Sequence, residues 1–334
     1  MINLKYKKLL KPVLPALAVL VMLAGCKKDK TTTDNSAFNR VGYIITDNFN
    51  LSLFNDALNY TGLYPELNSS QTLTVLAPDD PSFTAANYGT DVLIRGANKA
   101  LLTQTMQYHI LSGKYDFNTL PFLFNQEVTT ITGLKMYVTR WIKNTDTVLT
   151  VNGTQITSKN LPGANGLIQV IDAVLTPSTY SLLTQAIATD PSLTYFNQAL
   201  VRANMTSLLS GNTVYTVFAP TNAAFQAIGY ASLDSINNTP PATLAALLKY
   251  NIFAGRKFIY DYVLTTDNSN ITTQAMSDGN SVTINVLQDP NSGNYTGISL
   301  QGIGNAAPAS LVKQNILTGN GVLHETNTVL KPNF

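Results

Sequence analysis

The sequence is poor in the residues that usually build chemical sites. It has one cysteine, Cys26, and two histidines, His109 and His324, in a chain of 334 residues. A disulfide needs two cysteines, and a zinc site needs several converging His, Cys or carboxylate ligands, for which no suitable spacing occurs. The G-x-S-x-G pattern of serine hydrolases is missing as well. The sequence therefore predicts no catalytic centre, no metal site and no cofactor.

Charged residues are also scarce, at 12% of the chain. Nucleic-acid binding depends on clustered Lys and Arg that displace counterions, and no such cluster occurs beyond the N-terminal lysines. Apolar residues make up 45%, which is enough for a sizeable core, and this length allows about two domains. We therefore expect a two-domain globular protein with a polar, weakly charged surface and no nucleic-acid partner.

The N-terminus has the pattern of an export signal. Four lysines, the last of them Lys11, precede an apolar run over 13–24 that is too short to span a membrane. The run leads into LAGC, which resembles the lipobox of bacterial lipoproteins. This resemblance implies cleavage before Cys26, with a diacylglycerol on its thiol and an acyl chain on its new amino group. The alternative is an ordinary signal peptide followed by an unrelated cysteine.

Two features favour the lipid anchor. Cys26 has no disulfide partner within the chain, and residues 27–38 are polar and unpatterned, as in a flexible tether. Several acyl chains anchor a protein firmly, whereas one alone binds only marginally. We therefore predict a signal segment at 1–26, a tether at 27–38 and a lipid-anchored protein in a bacterial cell envelope, at the outer membrane or cell surface.

The rest of the chain contains an internal repeat. Three segments recur 142 residues later without a gap, and a closing block recurs at a shift of 155. The matching pairs are SLFNDAL (52–58) with TYFNQAL (194–200), TVLAP (74–78) with TVFAP (216–220), QYHILSGK (107–114) with KYNIFAGR (249–256), and NGLIQVIDAVLTP (165–177) with NGVLHETNTVLKP (320–332). Two copies of this length indicate tandem domains, which we place at 39–178 and 179–334.

Each copy predicts a strand followed directly by a helix. Proline cannot donate to a strand ladder, so the strand is expected to stop at the proline of TVLAP or TVFAP. Asp80 and Asn222 are expected to cap the next helix at its N-terminus. Asn87 and Gly229 suit a left-handed cap at its C-terminus.

Further helices precede a strand-rich second half in each copy. TPPATLAALLKYNI (239–252) predicts a helix that Thr239 caps and Pro240 begins. After Gly113 and Gly255, both copies have patterns of strands and hairpins. Helices that are separate from strands in this way favour an α+β fold.

The repeated blocks resemble the conserved blocks of fasciclin domains. All of them occur twice, in order, and cover nearly the whole chain after the tether. The resemblance implies two tandem α+β domains, each a β-sandwich or wedge-like sheet with several helices packed on it. It also implies a secreted or membrane-anchored protein that acts in cell adhesion or matrix binding and is not an enzyme.

The resemblance carries one candidate contact pair. A Tyr-His pair in the central block of animal fasciclin proteins is linked to integrin recognition, and this chain has Tyr108-His109 there. The second copy has Tyr250-Asn251 instead. The closing-strand histidine of the family is His324, where the first copy has a glutamine. Packing within the core is the favoured role for Tyr108 and His109, and ligand contact is the alternative.

Trp141 is the only tryptophan. In a strand, Tyr137, Thr139 and Trp141 would share one face, because side chains alternate. An exposed aromatic pair could stack on sugar rings, whereas a buried pair would supply core area. We favour packing and retain glycan contact as the alternative.

Together these patterns predict a non-enzymatic surface lipoprotein that binds matrix or other proteins through fasciclin domains. Its expected partners are the membrane, through the N-terminal lipid, and an unidentified protein or glycan. The alternative is an accessory glycan-binding lipoprotein that supports polysaccharide uptake.

Overall fold

The computed structural model describes residues 38–333. The predicted signal segment at 1–26, the lipidation site Cys26 and all of the tether at 27–38 except its last residue lie outside this part of the chain. Among the described residues, no helix is both long and apolar enough to cross a bilayer.

The first domain begins with helices and ends with strands. Its helices are α1 (Val41–Thr46), α2 (Ser52–Thr61), α3 (Tyr64–Leu67), α4 (Asp80–Ala85), α5 (Asp91–Gly96) and α6 (Lys99–Tyr108), with short 3-10 helices at Phe49–Leu51 and Phe117–Thr119. Its strands are β1 (Leu73–Pro78), β2 (Ile110–Ser112), β3 (Gln126–Thr129), β4 (Lys135–Lys143), β5 (Asp146–Val151), β6 (Thr154–Gly163) and β7 (Gly166–Ile171).

The second domain repeats this order with one additional helix. Its helices are α7 (Leu183–Thr189), α8 (Thr194–Arg202), α9 (Thr206–Leu209), α10 (Asn222–Ala227), α11 (Leu233–Asn237), α12 (Pro241–Lys249) and α13 (Ile259–Thr265), with a 3-10 helix at Pro191–Leu193. Its strands are β8 (Tyr215–Pro220), β9 (Ile252–Ala254), β10 (Ile271–Ala275), β11 (Ser281–Gln288), β12 (Tyr295–Gln301), β13 (Ala309–Thr318) and β14 (Gly321–Thr326).

Both sheets have seven strands in the same spatial order. In the first domain it is β2-β1-β7-β6-β5-β4-β3, and in the second it is β9-β8-β14-β13-β12-β11-β10. The pairs β1 with β7 and β8 with β14 are parallel, and the other pairs are antiparallel. Pairing is irregular at matched positions of β6 and β13, where Ser158 faces Val170 and Lys313 faces Glu325. The structure therefore confirms the predicted duplicated α+β fold.

Two asparagines fasten the sheet to the helices in the same way. Asn165 Oδ1 accepts a hydrogen bond from the first N–H of α1 at 2.9 Å, and its Nδ2 donates to the last carbonyl of α3 at 2.9 Å. Asn320 makes the equivalent bonds to α7 and α9 at 2.7 and 2.8 Å. Both side chains are buried, so these bonds replace the water that each amide loses.

Each sheet separates two hydrophobic cores. Val75 and Ala77 of β1 pack against the helices, whereas Leu76, between them, faces the second core, which the other strands enclose. Val217 and Phe218 of β8 divide in the same way. An interior strand that is apolar on both faces follows from this position between two cores.

The helix caps correct the predicted ones by one residue. Asp79 and Thr221, not Asp80 and Asn222, are the N-caps of α4 and α10, and their side chains accept from the backbone N–H three residues on, at 2.9 and 3.4 Å. Asp80 and Asn222 instead accept from the first turns of α2 and α8, both at 2.9 Å. The spacing of polar residues predicted the helix, but two adjacent candidates could not be distinguished without those contacts.

Two further boundaries were predicted, with different outcomes. Asn87 and Gly229 do adopt the left-handed conformation after their helices, with φ of 65° and 100°. Helix α12 begins one residue later than expected, because Pro240 occupies the N-cap and Thr239 lies outside the helix. The predicted start was therefore wrong by one residue.

Helix α13 was missed altogether. The prediction placed only strands and hairpins after Gly255, but residues Ile259–Thr265 form a helix whose inner face is buried. The available signal was Asp261 at the third helical position, where its carboxylate accepts from the N–H of Phe258 at 2.8 Å. This helix proves central to the contact between the domains.

Candidate functional site

Tyr108 lies in the core of the first domain. Its side chain is completely buried, and its hydroxyl donates to the carbonyl of Lys135 at 2.8 Å and accepts from Asn152 Nδ2 at 2.9 Å. Burial raises the pKa of this phenol well above its ordinary value. The tyrosine therefore ties the end of α6 to the β-sheet.

His109 is equally buried and acts as a hydrogen-bonding bracket. Its Nδ1 donates to the carbonyl of Thr105 at 2.7 Å, and its Nε2 accepts from the N–H of Leu175 at 2.9 Å. Nε2 can accept only when the ring is neutral, and burial lowers the pKa of His109 to about 4. Asn251 of the second domain makes the same two bonds with its amide group, at 2.8 and 3.3 Å. A contact between this histidine and an external ligand stays a prediction, and it would require this part of the core to open.

His324 performs a second internal task. Its Nδ1 accepts from the N–H of Asn315 at 3.1 Å, and its Nε2 lies 3.1 Å from the carbonyl of Lys257. In the first domain Gln169 makes the bond that corresponds to that of His324 Nδ1: its Oε1 accepts from the N–H of Asn160 at 2.9 Å. Burial lowers the pKa of His324 to about 4.

Tyr137, Thr139 and Trp141 alternate along β4. Tyr137 is 6% exposed and belongs to an apolar cluster with Phe258 of the second domain. The guanidinium of Arg256 lies 3.7 Å above its ring, a cation–π contact between the domains. Trp141 is half-buried, and its ring centre is 4.6 Å from that of Phe124. Tyr137 thus packs in the boundary between the domains, which sequence reasoning had not considered.

The centre of this boundary is the carboxylate of Asp261 on α13. It is completely buried and, besides capping its own helix, accepts from Asn125 Nδ2 at 3.2 Å and from Thr139 Oγ1 at 3.3 Å. Asn125 Nδ2 also donates to the carbonyl of Arg256 at 2.8 Å. Donors from both domains therefore surround one carboxylate.

Burial is the largest influence on this acid. It raises the pKa of Asp261 to about 6, against the hydrogen bonds from Phe258, Asn125 and Thr139 and the nearby charge of Lys257, which all lower it. A buried carboxylate costs free energy unless its donors replace the lost water. The network therefore holds the two domains in one relative position. The pKa of Asp261, at about 6, lies close to neutral pH.

Contacts on either side extend the boundary. Lys143 Nζ donates to the carbonyl and, at 3.2 Å, to the hydroxyl of Thr266, and Tyr260 OH donates to Gln155 Oε1 at 3.1 Å. Gly153 lies so close that a Cβ there would be 2.6 Å from Cβ of Phe258. Residues 38–333 accordingly belong to a single compact unit.

An open cleft runs beside this boundary along the linker between the domains. It consists of two adjoining cavities of about 240 and 340 Å³, which share Thr179, Tyr180 and Leu317. Most of the polar lining is hydroxyl or amide. Within the described part of the chain, no three His, Cys, Asp or Glu side chains come together to hold a metal ion.

The comparisons with known proteins agree with this duplicated fold. Residues 49–177 and 191–332 each match the fasciclin domain. The chain belongs to the fasciclin domain family. Its two fasciclin domains are therefore successive copies, and the repeat detected in the sequence is a domain duplication.

The curated relatives include animal and fungal proteins. The chain is 30% identical over 189 residues to human periostin, covering 55% of this chain and 20% of the relative. It is 25% identical to pig transforming growth factor-beta-induced protein ig-h3, over 83% of this chain and 35% of the relative. It is 32% identical to a fasciclin-like arabinogalactan protein of Arthroderma benhamiae, over 51% of this chain and 34% of the relative. The chain thus spans about a fifth to a third of the length of these relatives.

Among solved structures, a FAS1 domain pair from the insect cell adhesion molecule fasciclin I is similar at 16% identity and a TM-score of 0.41. The match covers 89% of this chain and 98% of that one.

Proposed function

We propose that this protein is a non-enzymatic lipoprotein of a bacterial cell envelope, in which a pair of fasciclin domains binds a protein or matrix partner. Lipid on Cys26 would hold the chain at the membrane, and residues 27–38 would let the pair extend from it. At up to about 3.5 Å per residue, a segment of this length reaches roughly 40 Å.

The observation that carries the proposal is the shared network around Asp261. The histidines and Tyr108, which are the usual candidates for chemistry, serve the packing of each domain. The buried carboxylate of Asp261 instead accepts hydrogen bonds from the other domain, which favours one relative position of the two domains. A fixed pair of domains suits recognition across a broad surface, because little ordering remains to be done when a partner binds.

The envelope location is tested by fractionation of cells that express the full chain or Cys26→Ser. We expect the full chain in the membrane fraction with a lipid-modified N-terminus in mass spectrometry, and the variant in the soluble fraction. An unmodified, soluble full chain would contradict the anchor.

The binding role is tested by cell adhesion. Cells that display the full chain should adhere to immobilised matrix proteins or to partner cells more than cells that display only residues 1–38. Proximity labelling in intact cells would then identify the partner. Equal adhesion with and without the fasciclin pair would contradict the role.

The second candidate function is accessory glycan binding in support of polysaccharide uptake. The observation in its favour is the aromatic group beside the boundary, where Trp141 contacts Phe124 and Phe122 stays 40% exposed beneath Arg140. Exposed aromatic faces stack well on the C–H faces of sugars. A glycan array with the full chain and Trp141→Ala tests it, since loss of signal in the variant would place the glycan on these rings.

A further inference from the structure

The first domain has an open pocket at a place that the second domain fills with its own side chains. The strand register pairs Ser158 with Val170 in the first domain and Lys313 with Glu325 in the second. In the second domain, Lys313 Nζ lies 2.5 Å from Asp190 Oδ2 and 2.8 Å from Glu325 Oε1. The lysine thus crosses from β13 to the 3-10 helix that precedes α8.

The matched positions in the first domain lack these charges. The shifts of 142 and 155 residues place Asn48 at the position of Asp190, Ser158 at that of Lys313 and Val170 at that of Glu325. Within residues 38–333, no long side chain crosses the gap, and a pocket of about 410 Å³ remains between the 3-10 helix Phe49–Leu51 and the strands β6 and β7. The pocket is thus a consequence of a short residue at position 158.

The lining combines an apolar floor with a polar rim. Leu161 and Val170, which also pack against the helical core, contribute to the floor. Asn48, Asp79 and Ser158 contribute amide, carboxylate and hydroxyl groups to the rim, and no Lys or Arg of the described residues lines the pocket. An anionic ligand would therefore meet a carboxylate and no balancing cation.

The rim offers both donors and acceptors to a neutral ligand. Ser82 donates its N–H and its hydroxyl to Asp79 Oδ1, at 2.9 and 2.5 Å, and no hydrogen bond within the described residues involves Oδ2, which can accept from a ligand hydroxyl. Amide and hydroxyl side chains can donate as well as accept. A pyranose ring presents hydroxyls around its edge and C–H groups on its faces, which matches a polar rim around an apolar floor.

We propose that this pocket of the first fasciclin domain binds one residue of a neutral glycan, and that Lys313 closes the equivalent pocket in the second domain. The proposal rests on the second candidate function and gives it a location, separate from Trp141. The two domains then have different roles, since the ion pairs of Lys313 cross the equivalent place in the second domain.

The experiment measures binding of cellohexaose, xylohexaose, maltohexaose and laminarihexaose to the full-length protein in detergent by isothermal titration calorimetry. Ser158→Lys copies the residue of the second domain and should close the pocket, which weakens binding by about tenfold or more. Ser158→Ala keeps the space and should bind within about threefold of the unaltered chain. Ser207→Lys, the same substitution at an exposed position of α9, is the matched control and should leave affinity unchanged. Trp141→Ala tests whether the glycan binds on the aromatic group instead.

A double variant controls for misfolding of Ser158→Lys. Ser158→Lys with Val170→Glu recreates the ion pair of the second domain, and should match the thermal midpoint of the unaltered chain while also losing the glycan. Undiminished binding in both closed variants overturns the proposal. Loss of binding in Trp141→Ala alone overturns the pocket proposal but preserves the glycan-binding function. If none of the four oligosaccharides binds, the pocket proposal and the glycan-binding function are both overturned, and the adhesion proposal is unaffected.

Discussion

The side-chain amide of Asn125 donates a hydrogen bond to Asp261 Oδ2 at 3.2 Å, across the boundary between the two domains. The carboxylate has no exposed surface, so its protein donors must replace the water it would otherwise bind. The domains therefore share a polar network in addition to the apolar contact of Tyr137 with Phe258. This network sets the relative position from which any surface of the pair acts.

Replacing Asp261 by alanine should weaken this coupling. The change leaves the N–H of Phe258 without its cap and the donors of Asn125 and Thr139 without their acceptor, so the free energy of unfolding should fall by about 1–3 kcal/mol. Urea denaturation measures this, and calorimetry should resolve separate transitions for the domains. The control Thr139→Val keeps the carboxylate and removes one hydroxyl, which donates to Asp261 at 3.3 Å and accepts from the N–H of Asn125 at 3.0 Å, so it should cost about 1 kcal/mol and leave a single transition. An unchanged midpoint for Asp261→Ala would show that the network does not couple the domains.

The buried histidines should make the protein sensitive to mild acid. Their pKa of about 4 in the folded protein lies below the ordinary 6.5, so the unfolded chain takes up protons first as the pH falls. Stability is therefore full above pH 6.5 and is lost towards pH 4, by roughly 2–3 kcal/mol for each histidine at about pH 4.5. His109→Asn, which copies Asn251, should remove one histidine's share of this slope in urea midpoints measured from pH 4.5 to 7.5. An identical slope would contradict the bracket role of His109.

Asp261 should act in the opposite direction over part of the same range. Its pKa of about 6 lies above the ordinary 3.8, so the folded protein binds this proton more tightly than the unfolded chain does. Its contribution is thus complete below pH 3.8 and is lost as the pH rises through 6, by roughly 3 kcal/mol. Asp261→Asn cannot titrate, so its stability should fall more steeply on acidification than that of the unaltered chain. A shallower fall in the same urea series would show that the pKa of Asp261 is not raised.

Gly166 should tolerate no side chain. A Cβ there would lie 1.9 Å from the carbonyl oxygen of Leu73 on the parallel neighbour β1, so β7 would have to move away from it. Gly166→Ala should lower the free energy of unfolding by about 3 kcal/mol, at the upper end of overpacking effects. The control is Gly96→Ala, where a Cβ would meet no described atom within 4 Å beyond its own helix turn, and the change should stay within about 0.5 kcal/mol. Similar stabilities for the two variants would contradict the strand placement.

Lys313 should contribute measurably to the second domain. Lys313→Ala leaves the Glu325 side chain, which is 0% exposed, without its counter-ion, and the free energy of unfolding should fall by about 1–2 kcal/mol. The cost is smaller than for a fully buried pair because the lysine is 48% exposed. Arg95→Ala breaks an exposed pair with Asp91 and should show no measurable change. An unchanged free energy of unfolding in Lys313→Ala would indicate that the ion pair does not stabilise the second domain.

The sequence was sufficient to predict the duplicated architecture. The 142-residue shift showed that the same set of local patterns occurs twice. The proline at the end of each strand and the Asn87 and Gly229 caps are signals from neighbouring residues, and both caps have the expected left-handed conformation. The same local reasoning placed the N-caps one residue late, because Asp79 and Asp80 both suit a cap. Only a tertiary contact distinguishes them: Asp80 accepts a hydrogen bond from the N–H of Leu53 in α2, whereas Asp79 caps α4.

Tertiary structure alone decided what the candidate residues do. Asn125 and Asp261 are 136 residues apart, and nothing in either local pattern relates them until the domains pack. Tyr137 was predicted to share a strand face with Trp141, but which surface that face would meet depended on α13, which the pattern had not predicted. The tendency to form a helix, strand or turn depends on adjacent residues, so a short fragment of the chain retains it. Partnership, burial and the open space beside Ser158 depend on distant segments that meet only in the folded chain.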